Sequence, residues 1–344
     1  MKKRISVVLL ILTFVLLLSA CGSKETNVVN VYNWGEYIDE DLINQFEEET
    51  GIKVNYDMYV TNEEMYVKLK NSNIAYDVLV PSDYMIERMV KEGMLQKINY
   101  DNVPNYANID EEFKGQNFDP NNEYSVPYFW GTLGIVYNTE LVNEEIKDWN
   151  ALWDQKYENK IIMMNSSRDA IGISLMRLGY SLNSDNHDQL EEAKQALIEQ
   201  RPLVRAYLMD ETKDIVKNGE VAIAVMYSGD AADAINENEN LKYVIPEKNS
   251  NIFIDAMVIP SNAENKENAE KFINFMTDVK NAAKNASIGY STPISASKEL
   301  LEDDLKNNPA SYPANEMLEG LETFKDPADL LETYDSIWQD VINQ

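Results

Sequence analysis

From Val28 onward the chain alternates short β-branched runs with amphipathic stretches of helical period, the pattern of an α/β protein. Val28-Val29-Asn30-Val31-Tyr32 predicts a strand. Asp39 to Glu49 sets Leu42, Ile43 and Phe46 on one face and closes at Thr50-Gly51, a helix with a glycine C-cap. Ile52 to Tyr56 alternates as the next strand. Asn62 to Asn71 gathers Met65, Tyr66 and Leu69 on one helical face, and Tyr76 to Pro81 is a buried strand stopped by proline. Strands joined through helices in this order are expected to run parallel.

The second half repeats the alternation. Strands are predicted over Lys160–Met164, Val221–Met226 and Asn251–Ile259, and helices over Ala170–Tyr180, His187–Gln200, Glu267–Met276 and Asp329–Asn343. Ser297 to Ala314, with Pro309 and Pro313, reads as loop. Trp149 and Trp153, four residues apart, predict a packed helix face; Met163 and Met164 predict core, and His187 predicts surface. Two apolar passages, Tyr128–Tyr137 and Ile252–Pro260, are suited to carry the chain between two lobes. The expected division is 28–132 with 254–300 in one lobe and 133–253 with 301–344 in the other.

Ahead of this body lies an address. Met1-Lys2-Lys3-Arg4 precedes an apolar run from Ile5 to Ala20, shorter than the roughly 20 residues that span a bilayer comfortably. It ends in Leu18-Ser19-Ala20-Cys21, which resembles the bacterial lipobox. Residues 1–20 are therefore expected to be a lipoprotein signal peptide, Cys21 the lipidated first mature residue, and 21–27 a polar tether. An uncleaved anchor is the alternative. The mature chain is expected outside the cytoplasm, tied to the membrane by lipid.

Charge narrows the partners. Thirty Lys and Arg against 59 Asp and Glu give a formal net charge of −29, which repels nucleic acid and attracts cations. One Cys and one His leave no disulfide and no zinc cluster of the usual kind. No metal centre and no cofactor are expected.

In open α/β sheets ligands gather beyond the carboxyl ends of strands, so the loops there matter most. They read Asn33-Trp34-Gly35-Glu36-Tyr37, Pro81-Ser82-Asp83-Tyr84, Asn165-Ser166-Ser167-Arg168-Asp169 and Tyr227-Ser228-Gly229-Asp230, joined by Phe253-Ile254-Asp255 and by Gly289-Tyr290-Ser291. Each supplies a ring, an acid or both. Carboxylates accept charge-assisted hydrogen bonds from ammonium groups, and aromatic faces attract cations by roughly 0.5–2 kcal/mol each. Taken singly, each loop is explained as well by helix capping and packing. Arg168 is expected to pair with an acid and hold its loop.

Read together, Tyr32-Asn33-Trp34-Gly35-Glu36-Tyr37, Thr50-Gly51-Ile52-Lys53-Val54, Tyr76-Asp77-Val78-Leu79-Val80-Pro81-Ser82 and Ser125-Val126-Pro127-Tyr128-Phe129-Trp130-Gly131 resemble the spermidine/putrescine-binding proteins of bacterial polyamine ABC importers. So do Leu178-Gly179-Tyr180, Asp255-Ala256-Met257-Val258-Ile259-Pro260 and Ile288-Gly289-Tyr290-Ser291-Thr292-Pro293. The resemblance implies a two-lobed periplasmic-binding-protein-like α/β fold of type II, with the ligand in the cleft. It implies Glu36, Asp169 and Asp255 as partners of the ammonium groups. Trp34, Tyr37, Tyr84, Tyr227, Phe253 and Tyr290 would be the aromatic walls, with polar contacts from Ser82 and Ser166. There are departures. Ser166 stands where the family's spermidine binders carry an Asp, and Tyr227 and Phe253 stand at Trp positions. A C-terminal Gln of the family has no clear match, Phe324 and Lys325 falling nearby.

The function so implied is that of a monomeric polyamine receptor, for putrescine, spermidine or both, that delivers its ligand to a membrane permease and is not an enzyme. The same fold with another organic cation, or a carboxylate-based extracellular hydrolase, are the alternatives; G-x-S-x-G and H-E-x-x-H are absent.

Overall fold

The computed structural model describes residues 27–344 apart from Asn73 and Lys248; the expected signal peptide, Cys21 and all but the last residue of the tether lie outside them. In the first lobe β1 (Val28–Trp34) runs parallel to both β2 (Lys53–Tyr59) and β3 (Val78–Leu79). Helices α1 (Glu40–Thr50), α2 (Asn62–Asn71) and α3 (Asp83–Lys91) follow these strands. Asp39 caps α1 by accepting from Asp41 N, and Gly51 ends it at φ 68°. β3 is shorter than the strand expected over Tyr76–Pro81. Asp77 there spends its carboxylate on Asn30 N at 2.8 Å and on Asn265 N at 2.8 Å, tying strands and loop by side chain rather than by ladder.

The second lobe holds β6 (Ile161–Met164), parallel to β7 (Val204–Leu208) and β8 (Ile223–Tyr227), with β9 (Leu241–Val244) beside them. Its helices are α4 (Ser167–Arg177), α5 (His187–Gln200), α6 (Glu211–Lys217) and α7 (Ser228–Glu237). α4 starts earlier than the expected Ala170 because Ser166 caps it, its hydroxyl accepting from Asp169 N. Trp149 and Trp153 lie on a 3₁₀ turn rather than an α-helix, each anchored by its indole to a carbonyl, Asn249 O at 2.8 Å and Ala196 O at 2.7 Å. Met163 is buried, Met164 is buried but reaches the cavity wall, and His187 is exposed.

Two long strands join the lobes. β5 (Ser125–Asn138), buried throughout, pairs with β10 (Ile252–Pro260) through its first half and with β8 and β9 through its second, and the end of β10 also meets the short β4 (Leu95–Gln96). The sheet order β2-β1-β3-β10-β5-β8-β6-β7 therefore runs unbroken across the molecule. α8 (Lys266–Met276) and α9 (Val279–Ala286) return to the first lobe, where Phe272 and Phe275 pack edge-on against Phe46. The packing sets the last passage between lobes later than residue 300. Leu301 belongs to the core of Phe46 and Phe272, and Leu305 and Tyr312 pack on it. α10 (Leu331–Ile342) instead buries Tyr334, Ile337 and Val341 against α4 and α5. The expected loop over 297–314 contains two short helical turns, Ser295–Lys298 and Asp303–Lys306.

Candidate functional site in the cleft

The parallel strands of both lobes point their carboxyl ends at one gap. Residues after β1, β2, β3, β6, β7 and β8 surround a cavity of about 300 Å³, completed by Phe253 and Asp255 from β10 and by Tyr290 and Phe324. Trp34, Tyr37, Ser82, Tyr84, Ser166, Asp169, Tyr227, Phe253, Asp255 and Tyr290 all stand on its wall. Glu36 does not. Its backbone turns left-handed at φ 49°, leaving its carboxylate 77% exposed at the rim and 2.6 Å from Lys213 Nζ of α6. Glu36, expected beside Asp169 and Asp255 as a partner of ammonium groups, thus stands at the rim and not with them on the wall.

Asp255 is placed by a break in the ladder. The register between β10 and β5 shifts between Asp255 and Ala256, where Tyr128 is the extra residue on β5. Such bulges re-aim side chains beside sites. Asp255 is 4% exposed. One oxygen accepts from the Tyr37 hydroxyl at 2.6 Å, and the other has no partner among the described residues. Burial pushes its carboxyl up to about 6, against the opposing pull of the Tyr37 and Ser82 hydroxyls.

Asp169 shows the same state on the opposite lobe. At the start of α4 it takes the Ser166 hydroxyl at 2.5 Å, keeps a second buried oxygen unpaired among the described residues, and is raised by burial. Ser166 thus serves both as helix cap and as orienter of Asp169. Asp83, at the first position of α3, was not expected in the site. It is 1% exposed, has one unpartnered oxygen, and burial holds its carboxyl well above the usual range. Asp230 is a second acid not expected there. It accepts from the Tyr290 hydroxyl at 2.9 Å, and burial raises it to about 6. Both stood in the loops singled out by sequence, but an Asp opening a helix is ordinarily a cap, and only tertiary burial distinguishes these two.

The rings are set by fixed contacts. Trp34 donates its indole N–H to Val80 O at 2.8 Å. Tyr84 donates to Glu63 at 2.8 Å and accepts from Asn62 at 3.2 Å. Tyr227 meets Phe253 edge-on at 5.2 Å, and Tyr37 meets Tyr290 at 4.6 Å. Phe253 fits only because its cross-strand partner Gly131 lacks a side chain, since a Cβ there would lie 2.6 Å from the ring. Arg168 is a further correction. It pairs with no carboxylate among the described residues. Its guanidinium covers Phe324 at 4.5 Å and Tyr334 at 4.8 Å and donates to Lys325 O at 3.0 Å, so it holds the returning C-terminal segment over the cavity.

An aromatic box with unpaired buried carboxylates on both lobes is suited to an elongated organic cation: rings for methylenes, anions for ammonium groups. Among the described residues no group of three or more His, Cys, Asp or Glu side chains is arranged to hold a metal ion.

Comparisons with known proteins agree with this geometry. Residues 41–314 match the profile of the bacterial extracellular solute-binding proteins. The spermidine/putrescine-binding periplasmic protein of Salmonella typhimurium is 36% identical over 325 residues, covering 94% of this chain and 93% of its own. A solved structure from Listeria monocytogenes, assigned to a spermidine/putrescine ABC transporter, superposes with a TM-score of 0.89 at 40% identity, over 92% of this chain and 99% of that one. The spermidine/putrescine ABC transporter substrate-binding protein PotD of Streptococcus pneumoniae gives a TM-score of 0.77 at 42% identity, over 91% of this chain and 99% of that one. The chain therefore belongs to the bacterial extracellular solute-binding protein family, and it is a binding protein rather than an enzyme.

Proposed function

We propose that this protein is the polyamine receptor of an ABC importer: tethered outside the cytoplasm through a lipid on Cys21, it closes its lobes on a diamine or triamine and presents it to a membrane permease. One observation carries the reading. Asp255 and Asp169, from different lobes, each hold an unpaired buried oxygen beside a cavity walled by rings. An isolated buried carboxylate is costly, and a bound ammonium relieves that cost. A ligand touching both lobes favours the closed arrangement by its contacts there, which is all the mechanism that loading requires. The relatives, spermidine/putrescine-binding and ABC transporter proteins, support the ligand class and the permease.

Calorimetry of the mature chain with putrescine, spermidine, a sugar panel and calcium tests the class. Binding of either amine at micromolar strength, about 8 kcal/mol, is expected. Binding of a sugar or calcium with no amine response overturns the reading. The anchor is tested apart from the ligand: Cys21→Ala should move the protein from the membrane fraction to the medium, and an unchanged distribution would remove the lipid from the account.

A further inference from the structure

Two cationic side chains line the cavity among the described residues, Arg168 and Lys213. Arg168 is taken up by rings and a carbonyl. Lys213 is different, because its head group is the same chemical group as a polyamine end. Its Nζ lies 2.6 Å from Glu36 of the other lobe and 3.5 Å from Asp233 on α7. The side chain is only 19% exposed. Asp230 and Asp210 stand on the same part of the wall and feel its charge. Asp233 has a second cation as well, Lys217 at 3.0 Å.

Seven acids of the cavity and its rim thus fall into two sets. Asp83, Asp169 and Asp255 each keep an unpartnered oxygen. Glu36 and Asp233 already pair with an ammonium supplied by the chain, that of Lys213, and Asp210 and Asp230 lie within its field. We infer that Lys213 is a built-in stand-in for one ligand ammonium and sets ligand length, favouring a diamine over a triamine. This rests on the polyamine reading above. A diamine satisfies Asp255 and Asp169 and leaves the Lys213–Glu36 bridge in place. The additional ammonium of a triamine must enter the region that Lys213 neutralises, where it competes for Asp230 and Glu36 and is repelled by a like charge.

The test is titration calorimetry of wild type, Lys213→Gln and Lys213→Arg with putrescine and with spermidine at neutral pH. Lys213→Gln should raise spermidine affinity relative to putrescine by more than about twofold and up to about fivefold, the upper worth of a partly exposed bridge. Lys213→Arg, which keeps the charge, should hold the wild-type ratio within about twofold. Glu36→Gln, an exposed change that leaves α6 untouched, probes the same bridge from the other lobe and should weaken spermidine more than putrescine. An unchanged ratio in both Lys213→Gln and Glu36→Gln, or an equal gain for both ligands in Lys213→Gln, overturns the inference while leaving the receptor reading intact. Wild type that binds neither amine overturns the receptor reading itself.

Discussion

Asp255 and Glu36 carry the same functional group, and sequence motifs nominate both for the same task, yet the fold treats them in opposite ways. Asp255 sits at a bulge between two central strands, 4% exposed, with one oxygen on Tyr37 and the other empty. Glu36 sits on a left-handed turn at the rim, mostly in water, with a lysine for company. A carboxylate sealed from solvent stores an electrostatic deficit that a cation can relieve, whereas one in water with its own partner has little left to offer.

The contrast can be broken most severely at Asp255. Asp255→Asn should weaken putrescine binding by about 2–5 kcal/mol by calorimetry, because the ligand's charge then lies buried without its counter-ion. The same variant should melt at a higher temperature than wild type when empty, since the buried charge is gone; a lower melting temperature would show that the carboxylate is needed for the fold. Next in size is the box. In Gly229→Ala the new Cβ would fall 2.2 Å from Tyr290 Cδ1, so the ring must move and take its hydroxyl from Asp230. A loss of about 1–3 kcal/mol in stability, with weaker putrescine binding, is expected.

Acid sharpens the same comparison. Burial lifts Asp255 from 3.8 to about 6 in the empty protein, so between those values the native state holds a proton that the unfolded chain has lost. This group's contribution to the stability of the empty protein therefore falls as pH climbs from about 4 to 6. Putrescine affinity should move the other way, rising about tenfold per such group between pH 5 and 7 and then levelling. A flat affinity profile across pH 6 would remove the buried carboxylates from the ligand contacts. The smallest effect is reserved for the rim: Glu36→Gln should change putrescine affinity by less than about 1 kcal/mol.

Much of the architecture was legible as period. The amphipathic face of Leu42, Ile43 and Phe46 closed by Gly51, and the span His187–Gln200, match the helices observed. Boundaries slipped where side chains substitute for backbone pairing, as at Asp77 beside β3, or where a cap precedes the first apolar residue. Ser166-x-x-Asp169 is a capping pattern that places the start of α4 where it is found. In the site, ring positions followed from loops at strand ends, because in this topology those ends must face the cleft. Burial is what sequence did not convey. Nothing local separates Asp83 and Asp230 from ordinary helix caps. Nothing local brings Lys213 to Glu36 or Arg168 to the carbonyl of Lys325, since the first pairing depends on how two lobes meet and the second on where the C-terminal segment returns.

The empty oxygen of Asp255 also makes the cleft an ion exchanger. Near pH 6 that carboxyl is half occupied by hydrogen ion, and an arriving cation evicts it. Loading in mildly acidic surroundings is then a swap rather than a simple addition, and the heat recorded should depend on the ionisation enthalpy of whichever buffer collects the displaced ion.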